Sequence, residues 1–207
     1  MDTMIVTNIE SITKNKYRVF IDEEFAFVLY KGELFHYQIK SNHEISEETI
    51  DAIKSEVLNK RAKLRAMHLL TAMPRTEKQL REKLAINEYP ADVIEVAISY
   101  VKSFGYINDE AYVRNFIISK KANKSKREIM MLLGQKGLKG EMVELIVEEM
   151  YAEESEVSTI KEIMRRKRWN PEEMDEKEKQ KAFSYLMRKG FSYEEIRHSF
   201  SSEYLPF

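Results

Sequence analysis

The feature that most constrains this chain is an internal repeat. Leu80, Leu84, Tyr89, Val93, Ile94, Ala97, Ile98 and Val101 are each followed, 49 positions on, by Ile129, Leu133, Leu138, Met142, Val143, Ile146, Val147 and Met150. A third copy continues at an offset of 53, where Leu133, Gly137, Leu138, Val143 and Val147 map onto Leu186, Gly190, Phe191, Ile196 and Phe200. A period of this length is the mark of stacked supersecondary units, each burying its apolar face against the next.

Each copy carries apolar stripes at helical spacing. In the first, Leu64, Met67, His68 and Leu70 to Ala72 are expected to line one helix, Leu80 and Leu84 a second, and Val93 to Phe104 a third. Gly105 suits the left-handed residue that closes the third helix, and Asn108 suits the cap of the next, with Asp109 and Glu110 in its first turn. A three-helix unit leaves apolar surface at both ends, so the copies are predicted to stack into an elongated, curved solenoid.

Ahead of the repeats the pattern changes. Met4 and Val6, then Tyr17, Val19 and Ile21, then Phe25, Phe27 and Leu29 alternate with polar residues, with turn residues between, which predicts a small three-stranded β meander. Ser46 followed by Glu47 and Glu48 marks the first helix start. With 6 Gly and 4 Pro the chain is too poor in turn residues for an all-β fold or a long linker. The expected fold is mainly α, divided into a β-rich cap and linker at 1–45 and three helical repeats at 46–106, 107–152 and 153–207.

Charged residues make up 33% of the chain, yet the net charge is only -1, so attraction to a polyanion depends on local segregation. Between Ala111 and Gly140 stand eight bases (Arg114, Lys120, Lys121, Lys124, Lys126, Arg127, Lys136 and Lys139) against the single acid Glu128. Glu141, Glu144, Glu148, Glu149, Glu153, Glu154 and Glu156 then follow without a base. Two candidate contact sites result. Lys120, Lys121, Lys124, Lys126 and Arg127 cross from one helix end into the next helix and suit phosphates or an acidic protein rim, although lysines at a helix C-terminus also serve as plain dipole caps. Arg165, Arg166, Lys167 and Arg168 adjoin Trp169, the one tryptophan, which combines charge with a stacking surface. The plainer reading wraps those bases around the helix and puts Trp169 in a seam between repeats. Most of the 11 methionines read as core filler, with Met130, Met131 and Met142 able to form an adaptable seam.

Chemistry has little footing. Without cysteine there is no disulfide or thiolate site, and His36, His43, His68 and His198 are scattered, so no metal, cofactor or catalytic residue is expected. No Gly-rich phosphate loop occurs, and adjacent acid pairs such as Glu148–Glu149 and Glu172–Glu173 diverge on a helix. No apolar run approaches the ~20 residues of a membrane span. The expectation is a cytoplasmic protein that binds no membrane.

Three segments in order resemble the RecX family: Arg75-Thr76-Glu77-Lys78-Gln79-Leu80-Arg81-Glu82-Lys83-Leu84, Phe104-Gly105-Tyr106-Ile107-Asn108-Asp109-Glu110-Ala111-Tyr112-Val113, and Ile129-Met130-Met131-Leu132-Leu133-Gly134-Gln135-Lys136-Gly137-Leu138. The likeness spans residues 57 to 200, and the β cap is similar to longer members from Gram-positive bacteria. Members often carry Gly where Asn123, Lys124 and Glu88 stand here, so these turns are the expected departures. The resemblance implies a monomeric, non-catalytic regulator that binds the RecA filament on single-stranded DNA, binds DNA alone only weakly, and inhibits RecA ATPase and strand exchange in recombination and SOS repair. The alternative is a general helical-repeat nucleic-acid binder acting through DNA.

Overall fold

The computed structural model describes residues 4–151 and 156–200. The chain divides into two compact units, Met1–Ile107 and Asn108–Phe207.

In the first unit, β1 (Met4–Thr13), β2 (Lys16–Ile21) and β3 (Glu24–Tyr30) form the expected meander. Asp22 and Glu23, both left-handed at φ 50° and 71°, make the two-residue turn between β2 and β3, a geometry that matches strand twist. After α1 (Lys31–His36), a fourth strand, β4 (His43–Ile45), pairs antiparallel with β1, giving the order β3-β2-β1-β4. Three residues are too few for an alternation to register in the sequence, so the expected three-stranded sheet gains one strand.

Ser46 caps α2 (Glu47–Ala52) by accepting the Thr49 N–H at 3.2 Å. The helix runs through a π-helical stretch, Ile53–Leu58, into α3 (Asn59–Ala72). There the predicted face is corrected in part: Met67 and Leu70 pack half-buried against the core as expected, but Leu64 is 68% exposed and His68, Thr71 and Ala72 are exposed, while Ala62, Ala66 and Leu69 are fully buried. Ala62 and Ala66 are two small residues on this buried face that apolar size alone passes over. α4 (Glu77–Ile86) starts at a capping box of Thr76 and Gln79 and buries Leu80 and Leu84 as predicted. α5 (Ala91–Ser103) buries Val93, Ile94, Ala97, Ile98 and Val101 and ends at Gly105, which has φ +69°. Val6, Val19, Phe27 and Leu29 of the sheet share one core with Ile53, Leu58, Leu80, Leu84 and the α5 stripe. A small sheet needs a buried apolar face or a packed helix to be stable, and this shared core supplies both.

The second unit contains α6 (Asp109–Lys120), α7 (Lys126–Gln135), α8 (Glu141–Tyr151), α9 (Glu156–Lys167), α10 (Glu176–Arg188) and α11 (Tyr193–Phe200). Asn108 caps α6 through the Ala111 N–H at 2.9 Å. Val113, Ile117, Ile129, Leu133, Leu138, Val143, Ile146 and Val147 make one cluster. Ile160, Ile163, Met164, Ala182, Phe183, Leu186, Phe191, Ile196 and Phe200 make another. The offset partners Ile129, Leu133, Leu138, Leu186 and Phe191 thus take the core positions that the repeat assigned them. Glu153, Glu154 and the expected limit at 152/153 lie outside the described residues.

Candidate nucleoprotein interface

The two basic segments that the sequence presents separately meet in the second unit. Lys120 ends α6, Lys121 caps it, and the turn through Asn123, Lys124 and Ser125 leads into Lys126 and Arg127 at the start of α7. α9 packs against this turn. Thr159 Oγ1 donates to the Lys121 carbonyl at 3.1 Å, the Lys126 N–H donates to Glu156 Oε1 at 2.6 Å, and Arg166, 43 positions from Asn123, donates to its Oδ1. The basic last turn of α9 is thereby brought beside the basic turn that opens α7.

Part of this charge is answered internally. Lys124 pairs with Glu128 and Lys126 with Glu148, each at 2.5 Å. Arg165 and Arg166 both hold Glu162, at 2.8 and 2.6 Å, and these hydrogen bonds, that from Arg165 foremost, pull its carboxyl down to about 2. Lys124–Glu128 is mostly buried, whereas the Lys126–Glu148 pair and the arginines on Glu162 are substantially exposed and orient the side chains more than they stabilise the fold. Among the described residues Lys120, Arg127 and Arg168 have no carboxylate partner. Arg168 is also left-handed, at φ 56°, in the turn where the Trp169 N–H reaches back to the Met164 carbonyl at 2.9 Å.

Trp169 is placed within its own repeat and not in a seam between repeats. It is half-buried against the core of its own repeat, edge-on to Tyr185 at 5.5 Å between ring centres. Lys167 Nζ lies 5.1 Å from the Trp169 ring centre and 4.4 Å from that of Tyr185, and Lys189 Nζ lies 5.9 Å from the latter. The aromatic pair therefore seats cations on its π faces.

Tyr185, Arg188 and Lys189 complete the basic face and escaped the sequence reading. A signal was available for Lys189 alone, because the offset of 53 places Lys189-Gly190 on Lys136-Gly137, a base directly before the turn glycine in both copies. The turn is locked. Buried Ser125 accepts the Glu128 N–H at 3.1 Å to cap α7 and donates its hydroxyl proton to the Lys189 carbonyl at 2.6 Å. Gly190, at φ +89°, lets this happen, since a Cβ there would meet Ser125 Oγ at 2.8 Å. Such a face can hold phosphates or carboxylates. Among the described residues no cluster of three or more His, Asp or Glu could hold a metal ion.

Comparison with known proteins fits this architecture. Residues 62–100 match the first three-helix domain of RecX, and residues 154–199 match the third. The chain is 34% identical to the regulatory protein RecX of Caldanaerobacter subterraneus subsp. tengcongensis, covering 93% of this chain and 96% of that protein. It is 28% identical to the RecX of Clostridioides difficile over 93% and 92% of the two chains. A crystal structure of a regulatory protein RecX superposes with a TM-score of 0.62 at 22% identity, over 97% of this chain and all of that one. The RecX of Lactobacillus salivarius superposes at 0.61 and 21% identity, over 70% of this chain. Near-complete alignment with the first of these relatives, with three-helix units at the matching places, identifies this chain as a member of the RecX family.

Proposed function

We propose that this chain is a non-catalytic, monomeric regulator of the cytoplasm that binds RecA filaments on single-stranded DNA and inhibits their ATP hydrolysis and strand exchange. The helical repeats, assigned to 46–106, 107–152 and 153–207, supply the binding surface. The junction of the α6–α7 turn with the end of α9 faces the nucleoprotein. The observation that carries this assignment is the Arg166–Asn123 contact, which sets the basic last turn of α9 beside the basic turn between α6 and α7 on a chain of net charge -1. A positive patch on a near-neutral protein suits a specific partner better than general polyanion binding.

The deciding measurement is ATP hydrolysis by RecA preassembled on single-stranded DNA, with this protein added at substoichiometric levels, beside its binding to the same DNA alone. A fall in hydrolysis at concentrations that leave naked DNA unbound is expected. An unchanged rate, together with tight and salt-sensitive DNA binding, would establish the general nucleic-acid binder instead.

A further inference from the structure

Beside the cationic face, an open groove of about 720 Å3 runs between α7 and the end of α10. Its lining includes Arg127, Met131, Tyr185, Met187, Arg188 and Lys189. We infer that this groove docks a polypeptide segment that presents apolar side chains among carboxylates. The inference rests on the proposed function and deepens it, because it gives the two neighbouring surfaces different partners: protein in the groove, phosphates at the end of α9.

Three observations select this occupant. First, Met131 is 57% exposed and Met187 44%, whereas Met164 of the adjoining core is 4% exposed. Thioethers left facing water inside a groove are adaptable apolar seats, and phosphates gain nothing from them. Second, the rim is positive. Arg127 and Arg188 have no carboxylate partner among the described residues, and the one acid in the lining, Glu128, is held by Lys124 at 2.5 Å and Lys189 at 3.4 Å. That leaves two guanidiniums beside the apolar floor, each able to fork onto an incoming carboxylate. Third, the aromatic ring of the groove is already engaged. Lys167 sits 4.4 Å from the centre of Tyr185 and Trp169 meets it edge-on, so the stacking by which an unpaired base would bind is preempted. At the end of α9, by contrast, Arg165, Arg166 and Arg168 are exposed cations without exposed apolar residues in the same run, which suits phosphate. The groove also needs little ordering on binding, since the Ser125–Lys189 bond fixes its two walls.

The test uses the full chain and two labelled probes, read by fluorescence anisotropy. One is a short peptide with two leucines a helical turn apart among glutamates, and the other is oligothymidylate. Met131→Ala combined with Met187→Ala removes the apolar seats without changing charge. It is expected to weaken peptide binding by roughly tenfold or more, as for anchor residues of an interface, and to leave oligothymidylate affinity and its salt dependence as they were. Arg127→Glu with Arg188→Glu is expected to lose the acidic peptide and gain its lysine counterpart. Matching thermal melts will show that both variants are folded. The inference is overturned if the wild type ignores the peptide, if the methionine variant binds it undiminished, or if oligothymidylate binding falls with it. RecA assays separate this from the wider proposal. Inhibition by the wild type with no peptide binding would sink the groove alone, and the expected peptide pattern without inhibition would sink the RecA reading alone.

Discussion

The turns that follow the second helix in the first and third repeats occupy one sequence position and are put to opposite uses. In the third repeat Lys189-Gly190-Phe191 closes on Ser125, and the absence of a Cβ is what allows that approach. In the first, Asn87-Glu88-Tyr89 places a non-glycine residue at φ 62°. A left-handed Glu costs about 1–2 kcal/mol, and here its side chain reaches Arg18 on β2 at 2.5 Å. Neighbouring cations are likewise occupied: Arg65 donates to Asn87 Oδ1 at 2.9 Å, and Arg61 pairs with Glu33 and donates to the Val28 carbonyl. One turn joins repeat to repeat, pairs Lys189 with Glu128 and leaves the adjoining Arg188 without a carboxylate partner among the described residues, while the other helps tie a sheet to its repeat and consumes the cations around it. A shared backbone position therefore fixes the chain path and not the role.

The largest effect should come from putting a side chain where the third repeat has none. Gly190→Ala combines left-handed strain of about 1–2 kcal/mol with a Cβ that would sit 2.8 Å from Ser125 Oγ and 3.2 Å from Arg127 Cβ. A loss of roughly 2–4 kcal/mol is expected once overpacking is added, measured by urea unfolding. Gly105→Ala is the control, since it has φ +69° with nothing within 4 Å of an added Cβ, and should lose only the backbone part. Equal losses at the two sites would show that strain, and not the approach to Ser125, is what the glycine serves.

The comparison can be broken from the other side at Glu88. Glu88→Ala keeps the strain and removes a half-exposed ion pair, so it should cost about 0.5–1 kcal/mol. Glu88→Gly removes the pair and the strain together, and should fall within about 0.5 kcal/mol of wild type. If both variants lost several kcal/mol, the Arg18 tether would be a principal anchor of the sheet and not a modest one.

Much of this was legible in the sequence, and the boundary has physical causes. Leu80, Leu84 and their offset partners were readable because large buried side chains recur at helical period, and Ser46, Asn108 and Gly105 because caps obey local rules. The inner face of α3 was not, since Ala62 and Ala66 are buried for being small, which a search for bulk passes over. β4 was too short to show a pattern. At the basic face, which charges stand free was hidden, because that depends on partners far along the chain, such as Glu148 for Lys126, as well as on the near neighbour Glu162 for Arg165 and Arg166. The repeat offset pointed to Lys189, but not to the aromatic seat that Tyr185 provides.

The available charge of the third repeat can be raised by a single change. Glu162 is ionised at every physiological pH and pairs with both Arg165 and Arg166. Glu162→Gln should release both guanidiniums, strengthen oligothymidylate binding several-fold at low salt, and steepen its log–log salt dependence by about 0.7 for each phosphate newly met. An unchanged salt slope would show that those arginines do not face the nucleic acid.

The smallest effect expected concerns how the second helix begins in neighbouring repeats. α4 opens on the neutral capping box of Thr76 and Gln79, whereas the first N–H of α7 is received by a carboxylate from α9, Glu156. Burial pushes that carboxyl above its ordinary value of 4.5, with Glu195 adding to the rise and the Lys126 N–H opposing it. The folded protein then binds this proton more tightly than the unfolded chain does. Its contribution to stability is complete below pH 4.5 and is lost as pH climbs through the raised value. Glu156→Gln keeps an oxygen for the Lys126 N–H but sheds the buried charge. It should unfold at a higher urea concentration than wild type at pH 7, and the gap should close as pH is lowered past 4.5. A Gln variant that is weaker than wild type at pH 7 would show that the charge-assisted bond to the α7 N-terminus outweighs the burial of Glu156.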